Sequence, residues 1–243
     1  MKVHDMIVDE RLRMADLLDG LDARQLATPS LPEGWTVHDV GAHLITYLRF
    51  GRLKLYWGIG AMAADFDRLN RELTARAARM STSDITDRMR RWAKSKVSIP
   101  RSGYDPVLAD ILLHDYDVRV PLVIERAMPE DRLWVAFQHL AAKPSPGYAM
   151  GGRLANLRLE AVDTGWSHGT GPVVRGSAEP LVLAMSGRAA GFAELAGDGL
   201  SVLRQRVAAP PPRGPAQRLK TVINVLVDPP PPERRSRSAA GGS

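Results

Sequence analysis

The period of the hydrophobic residues changes once along this chain, at a stretch rich in proline. From Val3 to Leu140 apolar residues recur every three to four positions, the spacing of one helix face. Residues 142–147, Ala-Lys-Pro-Ser-Pro-Gly, then read as a linker. Beyond it, Leu154, Leu157, Leu159, Ala161 and Val162 show partial alternation, the period of a strand. A chain that switches period in this way is expected to hold two domains of an α+β fold. Helices fill residues 1–141, a linker 142–152 and a small α+β domain 153–207. Residues 208–243, with Pro210 to Pro212 and Pro229 to Pro232, read as a flexible, basic, proline-rich tail.

Local signals divide the helical part. Val3, Met6, Ile7, Met14, Leu17, Leu18 and Leu21 mark a first helix, ended by Gly20 and Thr28-Pro29-Ser30-Leu31-Pro32. Thr36 reads as an N-cap with Asp39 three residues on, starting a helix to about Trp57 through Val40, Leu44, Tyr47 and Leu55. Gly58 and Gly60 interrupt it. Residues 61–79 are helical again on Met62, Phe66, Leu69 and Leu73. Ser83 is expected to cap a helix through Ile85, Met89 and Trp92. Asp105-Pro106 is a start signal for a helix ending before Pro121, and another begins near Pro129. In the second half, 163–165 read as a turn, 172–176 as a short strand, and Ser177 as the cap of a helix ending near Gly187.

Composition narrows the function classes. The 44% hydrophobic and 25% charged residues are an ordinary globular balance. No run approaches the roughly 18 to 20 apolar residues of a membrane helix, and the first residues lack the pattern of a secretory signal. The expected compartment is the cytoplasm, with no membrane partner. There is no cysteine, so any thiol chemistry must draw its sulfur from a bound small molecule. Of the net charge of +6, residues 208–243 contribute six Lys/Arg less two Asp/Glu, or +4. The rest is nearly balanced, which argues against a nucleic-acid face.

Two of the six histidines stand out. His43 and His114 both sit inside apolar helical stretches, where a ring nitrogen needs a partner. That partner can be a carboxylate or a metal. Asp110 and His114, four apart, share a helix face, and His43 can join them from another helix. One carboxylate and two imidazoles leave a fourth position open, the pattern of a catalytic rather than a structural zinc. His4, His38 and His139 read as surface or satisfied core residues, and His168 lies in a predicted loop.

Several motifs, taken in order, resemble the mycothiol-dependent maleylpyruvate isomerase family. They are Pro29 through Leu44; Phe66-Asp67-Arg68-Leu69-Asn70; Asp110 through Leu122, similar to a Glu-x-x-x-His-x-x-Asp-x-Arg segment; Leu159 through Trp166; Val174 through Ala178; Ser186-Gly187-Arg188; and Gly197-Asp198. The resemblance covers about residues 5–207. It implies a DinB-like four-helix bundle followed by a small sterol-carrier-like α+β domain. It also implies zinc or another divalent metal held at His43, Asp110 and His114, with mycothiol as the low-molecular-weight thiol. The family's glutamate is replaced here by Asp110, one methylene shorter.

A metal-held thiolate adding to a small electrophile gives an isomerase if it leaves again and an S-transferase if it stays. Two catalytic candidates accompany the ligands. Asp117, three residues after His114, is placed to hold a ring nitrogen; the other reading is a surface carboxylate or a salt bridge to Arg119. Arg188, by resemblance, reaches the inter-domain cleft and grips a substrate carboxylate; otherwise it complements a helix end. Trp35 is expected in the core. Two other functions fit the same chain: a metal-poor DinB-like binding module, or an apolar-ligand carrier acting through the second domain. The oligomeric state is not set by the sequence.

Overall fold

The computed structural model describes residues 1–46, 48, 66–98, 103–141 and 154–209; of residues 66–69 it describes the backbone alone. The expected linker, the proline-rich tail beyond residue 209, and Leu55, Trp57, Gly58, Gly60 and Met62 lie outside the described residues.

Helix α1 spans Val3–Asp19, α2 Ala23–Leu26 and α3 Val37–Ile45. Then come α4 at Phe66–Ala77, α5 at Thr82–Arg91, α6 at Asp105–Leu122 and α7 at Glu130–Ala141. Helices α1 and α3 each pack against both α5 and α6, closing a four-helix arrangement; α4 lies against α3 and α7 against α6. One core cluster fills the space between them with Met14, Leu18, Val37, Val40, Ile85 and Met89. Gly41 sets the approach of α3 to α1, because a Cβ there would lie 2.7 Å from Leu18 Cδ1.

The second half is a three-stranded sheet with helices. Strands β1 (Arg158–Ala161), β2 (Trp166–His168) and β3 (Val173–Gly176) lie in the order β2-β1-β3. β1 pairs antiparallel with β2, Leu159 opposite His168, and parallel with β3, Leu159 opposite Val174. The residue between β1 and β2 that turns the chain is Gly165, at φ +73°. Helix α8 (Ala178–Met185), a 3-10 turn (Ala189–Glu194) and α9 (Leu200–Ala208) follow. A second core cluster runs without a break from Leu108, Leu112 and Phe137 of α6 and α7 to Leu159, Leu181 and Leu203. Helix α7 therefore faces both halves and fixes how they dock.

Several starts differ from the sequence reading. Ser81, not Ser83, caps α5, accepting from Asp84 N at 3.1 Å; the helix begins two residues earlier than the apolar residues alone suggest. Asp105 is the first residue inside α6 rather than its cap, and Tyr104 precedes it with no side-chain cap bond. Pro121 lies inside α6, in the last turn, where its missing N–H forfeits one hydrogen bond; the helix runs on to Leu122 and ends at Val123 with φ 55°. Ser177 makes no cap bond. Asp163, in the preceding turn, accepts from Ala178 N at 2.9 Å in its place. Helices α2 and α9 and strand β2 were not anticipated. The Thr36–Asp39 capping box is present as read, both of its arms formed.

Candidate metal centre

His43 enters the interior from α3, in the half of the helix opposite its Thr36 cap. Asp110 and His114 project one turn apart from α6. All three donor groups lie within 4.8 Å of one another. The Asp110 carboxylate spans the two rings: Oδ1 is 3.5 Å from His114 Nε2 and Oδ2 is 3.9 Å from His43 Nε2. Two donors bound tetrahedrally at about 2.1 Å are separated by about 3.4 Å. The His114–Asp110 separation already matches that, and the His43 side needs to close by about half an ångström. Asp110 is thus long enough to reach toward both rings. The donor set, two imidazoles and one carboxylate, suits zinc or a similar divalent cation, so the three residues can hold a metal.

The ring nitrogens that face away from Asp110 are also engaged. His114 Nδ1 is 2.7 Å from Asp117 Oδ2. His43 Nδ1 is 3.3 Å from the hydroxyl of Thr74 on α4. A carboxylate there can only accept, so His114 donates Nδ1–H to it, and Nε2 is the nitrogen that faces the cluster. Asp117 is completely buried. It takes two further bonds from Arg188, Nε at 2.7 Å and Nη2 at 2.6 Å. Arg188 stands beyond Gly187, just past the end of α8, and also donates to Ser186 Oγ. Its fork thus closes on Asp117, and Arg119 pairs with Asp115 instead.

Electrostatics follow from burial. The His43 imidazole is pushed down to about 4 by burial, with His114 adding to the effect against the Asp110 and Asp117 carboxylates. It is therefore neutral and able to coordinate at neutral pH. Burial would raise the Asp117 carboxyl, but the Arg188 guanidinium and the His114 hydrogen bond outweigh it and hold it below the usual range. A second buried cation, Arg11 of α1, donates to the carbonyls of Ala93 at 2.8 Å and Ser95 at 3.1 Å. Burial brings it down to about 10, and the nearby Asp110 opposes that shift.

Trp35 packs against the core of the bundle, at its edge. It is half-buried against the cluster, its ring centroid 5.0 Å from that of His43 and 6.1 Å from that of His114. The other histidines lie elsewhere. His38 is held by Thr82 and the Ala78 carbonyl, both at 3.1 Å. His4 packs on Tyr104, and His168 is exposed on β2 rather than in a loop. Thr74, Arg11 and the contact of Trp35 with both rings gave no sequence signal. They are single residues on a polar helix, an amphipathic helix and a turn, and only the assembled bundle brings them to the site.

Comparison with known proteins agrees with this architecture. No curated protein sequence matches the chain. Among solved structures, a histidine-to-alanine mutant of the mycothiol-dependent maleylpyruvate isomerase aligns at a TM-score of 0.50 and 15% identity, over 87% of this chain and 98% of that one. The mycothiol-dependent maleylpyruvate isomerase itself aligns at 0.49 and 16% over the same shares. At 15% identity, the alignment with a TM-score of 0.50 shows a likeness of fold alone. The sequence match is to the mycothiol maleylpyruvate isomerase N-terminal domain; it takes in α3 with His43 and α4 with Thr74, and it stops short of Asp110 and His114. Residues 8–103 are thus similar to the mycothiol maleylpyruvate isomerase N-terminal domain, a match that covers less than half of the chain.

Proposed function

We propose that this protein is a divalent-metal enzyme that delivers a low-molecular-weight thiol such as mycothiol to a small electrophilic substrate, as an isomerase or an S-transferase. The observation that carries the proposal is the convergence of His43, Asp110 and His114 on one point, with the far side of each imidazole held by a separate residue. His43, Asp110 and His114 would hold a zinc ion, which when bound would favour the thiolate form of a coordinated thiol. The chain contains no cysteine, so the reacting sulfur belongs to that small thiol.

The protein's own residues set the conditions for that step. Asp117 fixes the tautomer of His114 and offsets positive charge at the site, and Arg188 keeps Asp117 ionised. Arg188 acts as a positioning residue, because its fork is occupied by Asp117 rather than open to a substrate carboxylate. Trp35 covers one side of both rings, limits water there and leaves a flat apolar wall for a substrate. A reaction that uses a reduced small thiol belongs in the reducing cytoplasm.

The test is metal analysis of protein purified without added metal, followed by a screen of thiols and electrophiles. About one equivalent of zinc, lost in His43→Ala and in His114→Ala, is the expected result, together with thiol-dependent turnover. Full-length protein that takes up no divalent metal would sink this reading and leave the metal-poor binding module.

A further inference from the structure

The two candidate metal ligands are supported by different chemistry. His114 faces Asp117, a carboxylate that only accepts and so admits one tautomer. His43 faces the hydroxyl of Thr74 at 3.3 Å, and a hydroxyl both accepts and donates. Thr74 is buried on α4, the helix that packs on α3 beside His43. Its hydroxyl can donate to a bare Nδ1 while Nε2–H points to Asp110. Alternatively it can accept from Nδ1–H while Nε2 presents a lone pair to the cluster. In either state Nδ1 has a partner; a buried ring nitrogen left without one costs about 1–3 kcal/mol.

We infer that Thr74 is the positioning residue for His43: its hydroxyl accepts a hydrogen bond from Nδ1–H when Nε2 faces a metal, and donates one to Nδ1 when the site is empty. This rests on the metal-enzyme reading above. His114 is then the pre-set ligand, held in one tautomer by Asp117, and His43 the adaptable one, free to exchange tautomers without moving its ring. The division follows from the inventory of donors and acceptors at each ring. It also gives Thr74 a part that the methyl group of a valine cannot play.

The experiment is zinc titration of the full chain against a chromophoric chelator in wild type, Thr74→Val and Thr74→Ser. It is paired with nitrogen NMR of the His43 ring with and without zinc. Loss of an outer partner typically weakens metal binding by about 10–100-fold. For this neutral partner the expected loss in Thr74→Val is about tenfold, with Thr74→Ser close to wild type. In metal-free protein the ring nitrogens of His43 shift in Thr74→Val and stay in place in Thr74→Ser. Equal affinity in wild type and Thr74→Val overturns the inference. So does an equal loss in both variants, which would mark the packing of the whole side chain, rather than the hydroxyl, as the feature that matters. Wild type that takes up no zinc overturns the enzyme reading instead. The metal-free spectra still decide the role of Thr74 in that case, since unchanged His43 nitrogens in Thr74→Val refute it.

Discussion

Asp117 and Arg188 tie the helical bundle to the second half of the molecule by a two-pronged ion pair, with contacts of 2.7 and 2.6 Å, and the same carboxylate holds His114. The arginine comes from the segment after α8 and the aspartate from α6. The orientation of a candidate metal ligand therefore depends on how the two halves dock. That docking rests on α7, whose Phe137 joins the core that continues into β1 and α8.

Asp117→Asn keeps the shape and removes the charge. Arg188 then loses its counter-ion at a largely buried site, and His114 loses the acceptor that fixes its tautomer. Removing one partner of a buried pair costs about 3 kcal/mol or more. Metal affinity is expected to fall about 10–100-fold. Arg188→Gln should weaken metal binding in the same direction, because it leaves the buried Asp117 without its guanidinium partner. The double variant should cost less than the sum of the two, because the residues share one interaction. Denaturant melts and metal titrations of the three variants check this; strict additivity would show that the ion pair and the ligand are independent.

Metal loading should stabilise the fold, because the three donors converge only in the native state. At a free ion concentration of about 100 times Kd the gain is about 2.7 kcal/mol. For a chain of this size that raises Tm by roughly 5–10 °C. A chelator should reverse the rise, and Asp110→Ala should abolish it, since Asp110 is the acceptor that spans both rings. A Tm unmoved by excess zinc would count against the site.

The parts of this site that were legible in the sequence are those carried by local rules. The Thr36–Asp39 box places His43 on α3, and four-residue spacing places Asp110 beside His114. What joins α3 to α6 is packing between distant segments, which periodicity does not encode; the order of family-like motifs suggested it. Asp117 was readable as a partner for His114 because three residues separate them. The seat of Arg188 depends on the docking of the two halves and was not readable. Strand β2 is three residues long with one large apolar member, Trp166, too short for alternation to show. Thr74 sits on a helix whose other residues are mostly polar, where one more hydroxyl carries no signal.

Glu10 on α1 is buried and receives Arg126 through both oxygens, at 2.8 and 2.6 Å, as well as Arg132 of α7. Arg126 also approaches Asp115 of α6 at 3.3 Å. The cluster links three helices away from the metal ligands. Glu10→Gln removes the one charge that serves both arginines. It should lower stability by about 1–3 kcal/mol, since Arg126 keeps Asp115 and Arg132 keeps Asp9. Metal affinity of the folded fraction should remain unchanged. Urea denaturation beside metal titration separates the two effects, and a joint loss would mean that the cluster also shapes the site.

Acid should loosen the metal-free protein before its paired carboxylates titrate. In the fold the His43 imidazole sits at about 4, pushed down by burial, whereas an unfolded histidine takes up its proton near 6.5. Between those values the unfolded chain binds more protons, so stability rises with pH and is lost as pH falls from about 6.5 to 4. The His43 contribution is on the order of 3 kcal/mol. His139, also lowered by burial, acts in the same sense, while Glu179, raised by burial above 4.5, partly offsets the decline within the same window. The depressed Asp117 carboxyl gives way only below the ordinary carboxylate range, as a later step. Urea midpoints measured at pH 7, 5.5 and 4.5 should therefore fall steadily, and His43→Gln should flatten much of the decline. A variant that keeps the full wild-type slope would show that His43 already takes up its proton in the native state, and that its ring is open to water.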